Sequence, residues 1–397
     1  MTIDIKRISQ TVLPQMLNTR RAIHADPELS FQENRTSQLI SETLRSTGIV
    51  VSEGIAGTGV VGLIPGAFSG PTLMIRADID ALPIQETSTS PYTSQNPGVM
   101  HACGHDGHTA VLLAVSKILF EQRSRIAGTI KLVFQPAEET MEGASSMLKD
   151  GVMDNPQVDR VLGFHLWNPL QVGQIGIRTG PIFASADEFK LTIIGKGGHG
   201  ALPHQAIDPI IISSQLISGL QTLISRESPP SKPAVLTIGT IHGGSAFNVI
   251  ADSVEMTGTL RTFDEDLRQT MLRRIPEIAA GITSSLNGSF EFNLIRGCPP
   301  VNNDSHVVDF VSKAASSIVG HDNLITVEPA TTGDDISFFL NKAPGCYFLV
   351  GSSNSSRGLD ASHHSPNFDF DEDALRIATE ILASCVFEYL SPDQPQT

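Results

Sequence analysis

The sequence contains few cysteines, and their positions form no spacing pattern. Four occur among 397 residues: Cys103, Cys298, Cys346 and Cys385. Cysteines scattered in this way do not form the framework of a small disulfide-rich secreted protein. We therefore expect a reducing, cytoplasmic setting.

The sequence also lacks an excess of positive charge and any long apolar run. It has 27 Lys and Arg against 42 Asp and Glu, a formal net charge of −15, which argues against a nucleic-acid or anionic-membrane surface. No stretch approaches the roughly 18 apolar residues of a membrane span, and residues 1–16 do not resemble a signal peptide. We predict no nucleic-acid partner and no membrane partner. Aromatic residues make up only 6%, so composition does not indicate an aromatic pocket.

Apolar runs that end in polar, reactive residues are the main feature that is present. Four such runs alternate with helical patterns, for example residues 108–122, and they cover residues 71–80, 128–139, 158–168 and 345–354. This alternation predicts buried strands of an α/β sheet. Because active sites of open α/β sheets lie beyond the carboxyl ends of the strands, we expect these distant stretches to converge.

Residues 185–294 follow a different pattern. Strand and helix signals occur there in the order β-α-β-β-α-β, which is typical of a ferredoxin-like domain. Gly- and Pro-rich joints flank the segment, as expected of hinges. We predict an α/β fold with two domains, one formed by residues 1–184 and 295–397 and the other inserted as residues 185–294.

The stretch "MHACGHDGHTA" at residues 100–110 concentrates potential metal ligands. It is compatible with a metal site, a cysteine nucleophile with its base, or a His-rich helix start. Donor side chains occur here, at the ends of other apolar runs and near the C-terminus: Cys103, His105, Glu138, Glu139, His165 and His364. Mixed thiolate, imidazole and carboxylate donors suit Zn, Mn, Co or Ni. Their number suits two ions sharing a bridging ligand, with one acid left to act as a base.

Seven stretches in order along the chain are similar to the M20 metallopeptidase family. They are "RADIDALP", "MHACGHDGHTA", "QPAEE", "GFHLWN", "GKGGHGALPHQAIDPI", "AFNVIADSVEMTGTLRTFD" and "HHSPNFDFDE". The resemblance is strongest to the amidohydrolase branch, which includes hippurate hydrolases, indole-acetyl-amino-acid hydrolases, N-acyl-amino-acid aminoacylases and N-acetyl-diaminopimelate deacetylases. Together the motifs extend over most of the chain.

The resemblance implies a zinc-peptidase-like catalytic domain with a mixed sheet, and an inserted domain that acts as a lid and forms a homodimer. It also implies two divalent metal ions per subunit. The ligands implied for them, with Cys103 as the bridge, are Cys103, His105, Glu139, His165 and His364. In related peptidase branches a histidine ligand stands where this chain has Arg76, and His105 takes that role here.

Other residues take their implied roles from the same resemblance. Glu138 matches the general base, and His199 matches a histidine that stabilises the oxyanion, often in the neighbouring subunit's site. Asn248 and Arg261 match residues that hold the substrate carboxylate, and Asp78 matches an acid that supports the ligands. Without the resemblance, Glu138 is compatible with a solvated pair of loop acids, and Arg261 with a surface ion pair to an acid such as Asp264.

We predict a dinuclear amidohydrolase that cleaves the amide of N-acyl amino acids to a carboxylic acid and a free amino acid. One departure from the family lies at residues 331–339, where "TTGDDISFF" replaces a stretch that relatives write "GSEDFSYF". Asp334 or Asp335 there could recognise a free α-amine, so a dipeptidase or aminopeptidase of the same family is an alternative. Further alternatives are a catalytically silent metal-binding relative, a structural zinc site and a cysteine hydrolase.

Overall fold

The computed structural model describes residues 4–392, which divide into two compact units. The first comprises residues 4–182, 302–328 and 335–392, and the second comprises residues 183–301 and 329–334. The helices are α1 (Ile5–Ala25), α2 (Asn34–Thr47), α3 (His105–Glu121), α4 (Gly143–Lys149), α5 (Pro209–Thr222), α6 (Glu265–Ser285), α7 (Ser305–Val319), α8 (Ser337–Leu340) and α9 (Asp373–Tyr389).

The strands of the first unit form a mixed eight-stranded sheet in the order β1-β2-β4-β3-β5-β16-β6-β15. Their bounds are β1 (Val50–Ile55), β2 (Gly59–Pro65), β3 (Phe68–Asp78), β4 (Ala127–Gln135), β5 (Arg160–Gln171), β6 (Ile175–Ile177), β15 (Leu324–Thr326) and β16 (Gly345–Ser353). Strands β4, β3, β5 and β16 are mutually parallel neighbours, whereas β1, β2 and the β16–β6 pair are antiparallel. The mixed α/β fold predicted from the sequence is confirmed.

The hydrophobic core of this unit is formed by strands and helices whose residues are buried on nearly every side. Residues of β3 from Thr72 to Asp78 are all buried, and α3 is buried over most of its length. A strand buried on both faces has no polar alternation, which is why the sequence shows continuous runs there. Helices α1, α3, α7 and α9 contribute to the same hydrophobic core as the sheet.

The second unit contains a four-stranded antiparallel sheet in the order β10-β12-β8-β13. Its strands are β8 (Ala186–Ile194), β10 (Ala234–Gly243), β12 (Ser253–Thr262) and β13 (Ser289–Cys298). Together with α5 and α6 they follow the β-α-β-β-α-β order expected from the sequence, and a separate hydrophobic core lies between helices and sheet. Asp208 and Asp264 accept backbone N–H bonds at the starts of the two helices.

The described residues also form two short strand pairs. They are β9 (Gly198–His199) with β11 (Val249–Ile250), and β7 (Gly180–Phe183) with β14 (Val301–Asn303). No helix within residues 4–392 combines the length and apolar character that crossing a membrane requires.

Candidate metal centre

The donor side chains of the first unit lie around the carboxyl ends of parallel strands. Asp78 is the last residue of β3, and Glu138 and Glu139 follow β4. His165 lies within β5, which continues to Gln171 rather than ending near the histidine as the sequence suggested. Since β3 pairs in parallel with both β4 and β5, these positions come together.

The start of α3 brings Cys103 and His105 to the same place. Helix α3 begins at His105, and Gly104 precedes it with φ at 91°, a left-handed conformation that glycine adopts without steric cost. This sharp entry to the helix places Cys103 Sγ 3.5 Å from His165 Nε2. The His-rich stretch is therefore both a helix start and part of a donor cluster.

Six donor side chains form a continuous set of contacts. His105 Nε2 lies 3.9 Å from Glu139 Oε1 and 4.0 Å from Glu138 Oε2. His364 Nε2 lies 3.5 Å from Glu139 Oε2. Three overlapping triads of these donors have ligand atoms within 4.8 Å of one another: Cys103, His105 and His165; His105, Glu138 and Glu139; Cys103, Glu139 and His364. All five ligands expected from the resemblance therefore occur in one cluster.

Two buried donor atoms in this cluster have no hydrogen-bond partner in the described part of the chain. They are His105 Nε2 and Glu139 Oε1, which face each other at 3.9 Å. A buried polar atom without a partner is costly, and a cation bound between these atoms would satisfy both. The mixture of thiolate, imidazole and carboxylate donors also fits Zn, Mn, Co or Ni.

Hydrogen bonds on the far side of two of the imidazoles, those of His105 and His165, orient their donor nitrogens. His105 Nδ1 lies 2.9 Å from the Asp80 carbonyl oxygen, which leaves Nε2 directed toward the glutamates. His165 Nδ1 bonds the Leu166 carbonyl oxygen, so its Nε2 faces Cys103. Ligand histidines in proteins are oriented by this kind of bond to the other ring nitrogen.

His108 and His363, which lie beside expected ligands, have their own partners. The Leu166 N–H donates to His108 Nε2 at 3.0 Å, and His108 Nδ1 bonds the Asp78 carboxylate. His363 Nε2 bonds the Leu166 carbonyl oxygen at 2.9 Å. His364 rather than His363 contacts Glu139, in agreement with the preference for the residue just before Ser-Pro.

The Arg76 side chain is fully buried in an ion-pair network. Its Nη1 lies 2.7 Å from Asp78 Oδ2, and its Nη2 lies 3.2 Å from Asp335 Oδ1. The Asp335 carboxylate also accepts bonds from Gln135 Nε2 at 2.6 Å and from the Ala144 N–H at 2.8 Å. Asp335 is therefore held by groups of the protein itself, and this weakens the case that it recognises a substrate amine.

Burial and neighbouring charges shift the pKa values of the donors in different directions. Burial lowers the pKa of His105, but the carboxylates of Asp78 and Asp80 outweigh it and raise that pKa to about 10. Burial raises the pKa of Glu139 to about 7 and that of the Cys103 thiol well above its usual value. Because metal ligands must be deprotonated, binding a cation at this cluster would release protons.

Three expected site residues lie in the second unit. His199 in β9 pairs with Val249 in β11, and the Gly200 N–H donates to the Asn248 carbonyl oxygen at 2.8 Å. The structure therefore brings His199 and Asn248 close together, and both are exposed. Arg261 lies elsewhere in this unit, near the end of β12, and is partly buried.

Two acids that were not among the predicted site residues lie at or beside the cluster, Asp80 and Asp106. Asp80 Oδ1 and Oδ2 accept the N–H groups of Glu138 and Glu139, each at 3.1 Å. Asp106, the residue after His105, accepts a bond from Arg20 Nε at 2.8 Å and lies 2.8 Å from His24 Nδ1. The alternation in "RADID" is a signal for Asp80, because residues two apart on an extended strand share a face.

Known proteins resemble this chain over most of its length. The model of peptidase family M20/M25/M40 matches residues 74–388. An N-acyl-L-amino acid amidohydrolase of Geobacillus stearothermophilus is 48% identical over 301 residues, covering 76% of this chain and 81% of the relative. Thermostable carboxypeptidase 2 of Saccharolobus solfataricus is 41% identical, with 94% of each chain covered.

A solved structure of similar sequence has the same fold. The YXEP protein of Bacillus subtilis, described as a dinuclear metal binding peptidase from the M20 family, superposes with a TM-score of 0.82. It is 35% identical, and the match covers 96% of this chain and 99% of that one. The ordered motifs, the mixed sheet and these matches lead to one conclusion: the chain belongs to peptidase family M20/M25/M40.

Proposed function

We propose that this protein is a two-metal amidohydrolase that cleaves N-acyl amino acids to a carboxylic acid and a free amino acid. The observation that carries the proposal is the donor cluster at the carboxyl ends of the strands, with His105 Nε2 and Glu139 Oε1 buried and facing each other. The residues that would hold two divalent ions are Cys103, His105, Glu139, His165 and His364. When bound, such ions polarise the amide carbonyl and lower the pKa of water.

Glu138 acts as the general base in this proposal. Glu139 contacts both His105 and His364, which suits a metal ligand, and Glu138 remains to move the proton. Its carboxylate takes a proton from the attacking water as the new C–O bond forms, then delivers it to the nitrogen as the C–N bond breaks. Hydrogen bonds from the Glu138 and Glu139 amides to Asp80 fix the backbone that carries both carboxylates.

The second unit supplies the substrate contacts in this proposal. His199 donates to the developing oxyanion, an interaction typically worth about 2.7–4 kcal/mol. Asn248 and Arg261 bind the substrate carboxylate, and residues 185–294 form a lid and a homodimer interface. The family resemblance supports these roles, as does the proximity of the exposed residues His199 and Asn248. A cytoplasmic location remains a prediction from the scattered cysteines.

The alternatives have less support. The Asp335 carboxylate is engaged by Arg76, Gln135 and a backbone amide, so it is poorly suited to bind a free amine. A cysteine hydrolase would need a reactive thiolate, and burial raises the pKa of Cys103 well above its usual value. A structural zinc site would leave part of this large donor set without a role. A peptidase remains the second candidate, because two relatives are named thermostable carboxypeptidases.

A substrate panel tests the proposal. Purified protein would be assayed on N-acetyl, N-benzoyl and indole-acetyl amino acids and on plain dipeptides, with chelator or with added Zn, Mn, Co or Ni. We expect metal-dependent release of amino acid from the acylated substrates. Turnover of dipeptides alone would assign the protein to the peptidase alternative, and two bound metals without any turnover would favour the silent relative.

A further inference from the structure

Glu33 is a buried acid that the proposed mechanism leaves without a role. It lies just before α2, and its side chain is fully buried. One carboxylate oxygen, Oε1, accepts the Ala137 N–H at 2.9 Å, and Oε2 accepts the Thr58 hydroxyl at 2.6 Å. Burial raises the pKa of Glu33 to about 7, which shows that the site bears a desolvation cost. A free-energy cost of burying a carboxylate is expected to be offset by an interaction that the carboxylate makes.

The partner of Glu33 is a strained residue next to the proposed base. Ala137 has φ at 54°, a left-handed conformation that is unfavourable for a residue with a side chain. Strain of this kind persists only where surrounding contacts over-determine it. Three successive backbone amides, at residues 137, 138 and 139, each donate to a buried carboxylate oxygen of Glu33 or Asp80.

These three bonds determine where the two glutamates point. The left-handed residue turns the chain sharply after β4, and Glu138 and Glu139 follow at once. Asp80 holds the amides of the glutamates, and Glu33 holds the strained residue before them. Loss of the Glu33 contact would allow Ala137 to relax toward negative φ, and the carboxylates beyond it would move.

We propose that Glu33 is a positioning residue for Glu138 and Glu139, acting through the Ala137 amide. The inference rests on the proposed roles of Glu138 as base and Glu139 as metal ligand. Glu33 contacts neither substrate nor metal in this account. Its contribution is to keep the turn in the conformation that directs both carboxylates into the donor cluster.

Two substitutions separate positioning from simple stability. Glu33→Ala removes the acceptor for the Ala137 N–H, whereas Glu33→Gln keeps a carbonyl oxygen that can accept the same bond. Asp304→Ala is the control, since Asp304 also accepts backbone amides, those of His306 and Val307, but at the start of α7. All three proteins would be prepared metal-free and titrated with Co²⁺, following cobalt absorbance, and their melting temperatures would be measured.

We expect Glu33→Ala to bind Co²⁺ about ten-fold or more weakly, as substitutions behind metal ligands usually do. Glu33→Gln should bind it within about three-fold of wild type, since the amide acceptor persists. With saturating Co²⁺, Glu33→Ala should also lose kcat by roughly ten- to hundred-fold with little change in KM. Asp304→Ala should retain Co²⁺ affinity and kcat even if its melting temperature falls.

Wild-type Co²⁺ affinity in Glu33→Ala would overturn the inference, as would equal losses in Glu33→Ala and Glu33→Gln. A similar loss of Co²⁺ affinity in Asp304→Ala would also overturn it, because the effect of Glu33→Ala would then be explained by general destabilisation. The titration does not depend on the substrate. If wild type binds Co²⁺ but hydrolyses no N-acyl amino acid, the proposed function fails while the metal titration still decides the role of Glu33.

Discussion

At the scale of single residues, the surroundings of Cys103 decide between a metal ligand and an ordinary buried thiol. Cys103 is buried beside His165, and its thiol has a pKa well above the usual value because of burial and the nearby glutamates. A buried thiol is ordinarily a small hydrophobe. Its contacts with His165 and Glu139 argue for a ligand instead.

Replacement of Cys103 by Ala should reduce the metal bound per subunit. The donor cluster would lose the sulfur atom that contacts His165. At the same concentration of free metal, the remaining donors would therefore hold fewer ions. Metal content after gel filtration would be measured by plasma mass spectrometry. Cys385→Ala, which alters another buried thiol, in α9, should keep the wild-type content. Stoichiometric metal in Cys103→Ala would remove Cys103 from the ligand set.

The sequence predicted most of the donors but not what holds them. Reactive residue types in and after apolar runs indicated Glu138, Glu139 and His165, because strand ends share a sheet edge. The concentration of donors at residues 100–110 indicated Cys103 and His105. The supporting contact between Glu33 and Ala137 joins residues 104 positions apart. No periodicity reports such a pairing, since it depends on how the strands and turns pack.

At the scale of elements, the turn between β4 and α4 is tightly constrained by its neighbours. It contains two left-handed residues, Ala137 and Met141, and it ends where α4 begins at Gly143. A Cβ at Gly143 would lie 1.7 Å from the Pro136 carbonyl oxygen, which is part of the backbone and cannot move aside alone. The backbone at Gly143 therefore packs directly against the backbone at Pro136, and this contact joins the two ends of the turn.

Gly143→Ala should therefore destabilise the protein by about 3 kcal/mol or more and lower its metal content, because the turn must open to accept a methyl group. Gly281→Ala in α6 is the matched control: nothing lies within 4 Å of its Cβ position. That variant should be neutral or more stable by about 0.5–1 kcal/mol. Urea unfolding measures both. A Gly143→Ala protein as stable as wild type would show that the turn is not closed in this way.

Element boundaries were predicted less well than element types. Helix α3 starts at His105, three residues before the predicted start at residue 108. The sequence did not indicate this first turn because histidine and glycine have low helix propensity. The stretch 331–339 is divided: residues 329–334 belong to the second unit and residues 335–392 to the first. Its Asp335 pairs with Arg76, a long-range contact that explains why an acid stands there and that the sequence did not reveal.

At the scale of the whole molecule, the chain folds as two units with separate hydrophobic cores. The first carries the donor cluster, and the second carries His199, Asn248 and Arg261. The order of secondary structure in the second unit follows from patterns readable in the sequence, whereas the sequence indicated only four strands of the first unit's sheet. The lid and dimer roles of the second unit come from the family resemblance and remain predictions.

Mixing inactive subunits tests whether the site is shared between protomers. If His199 serves the neighbouring subunit, then His199→Ala mixed with Glu138→Gln should regain about a quarter of wild-type activity, since random two-fold dimers contain one intact site in half of the molecules. Each variant alone, unfolded and refolded identically, is the control. Absence of any recovery would mean that His199 acts within its own subunit or outside the site.

The most direct test of the central claim compares wild type with Glu138→Gln on an N-acyl amino acid, with bound metal counted in both. We predict equal metal content and a loss of turnover of roughly 10²–10⁴-fold, the usual contribution of a general base. Wild-type turnover should also disappear when chelator removes the metal. Near-wild-type activity in Glu138→Gln, or full activity of the metal-stripped protein, would contradict it.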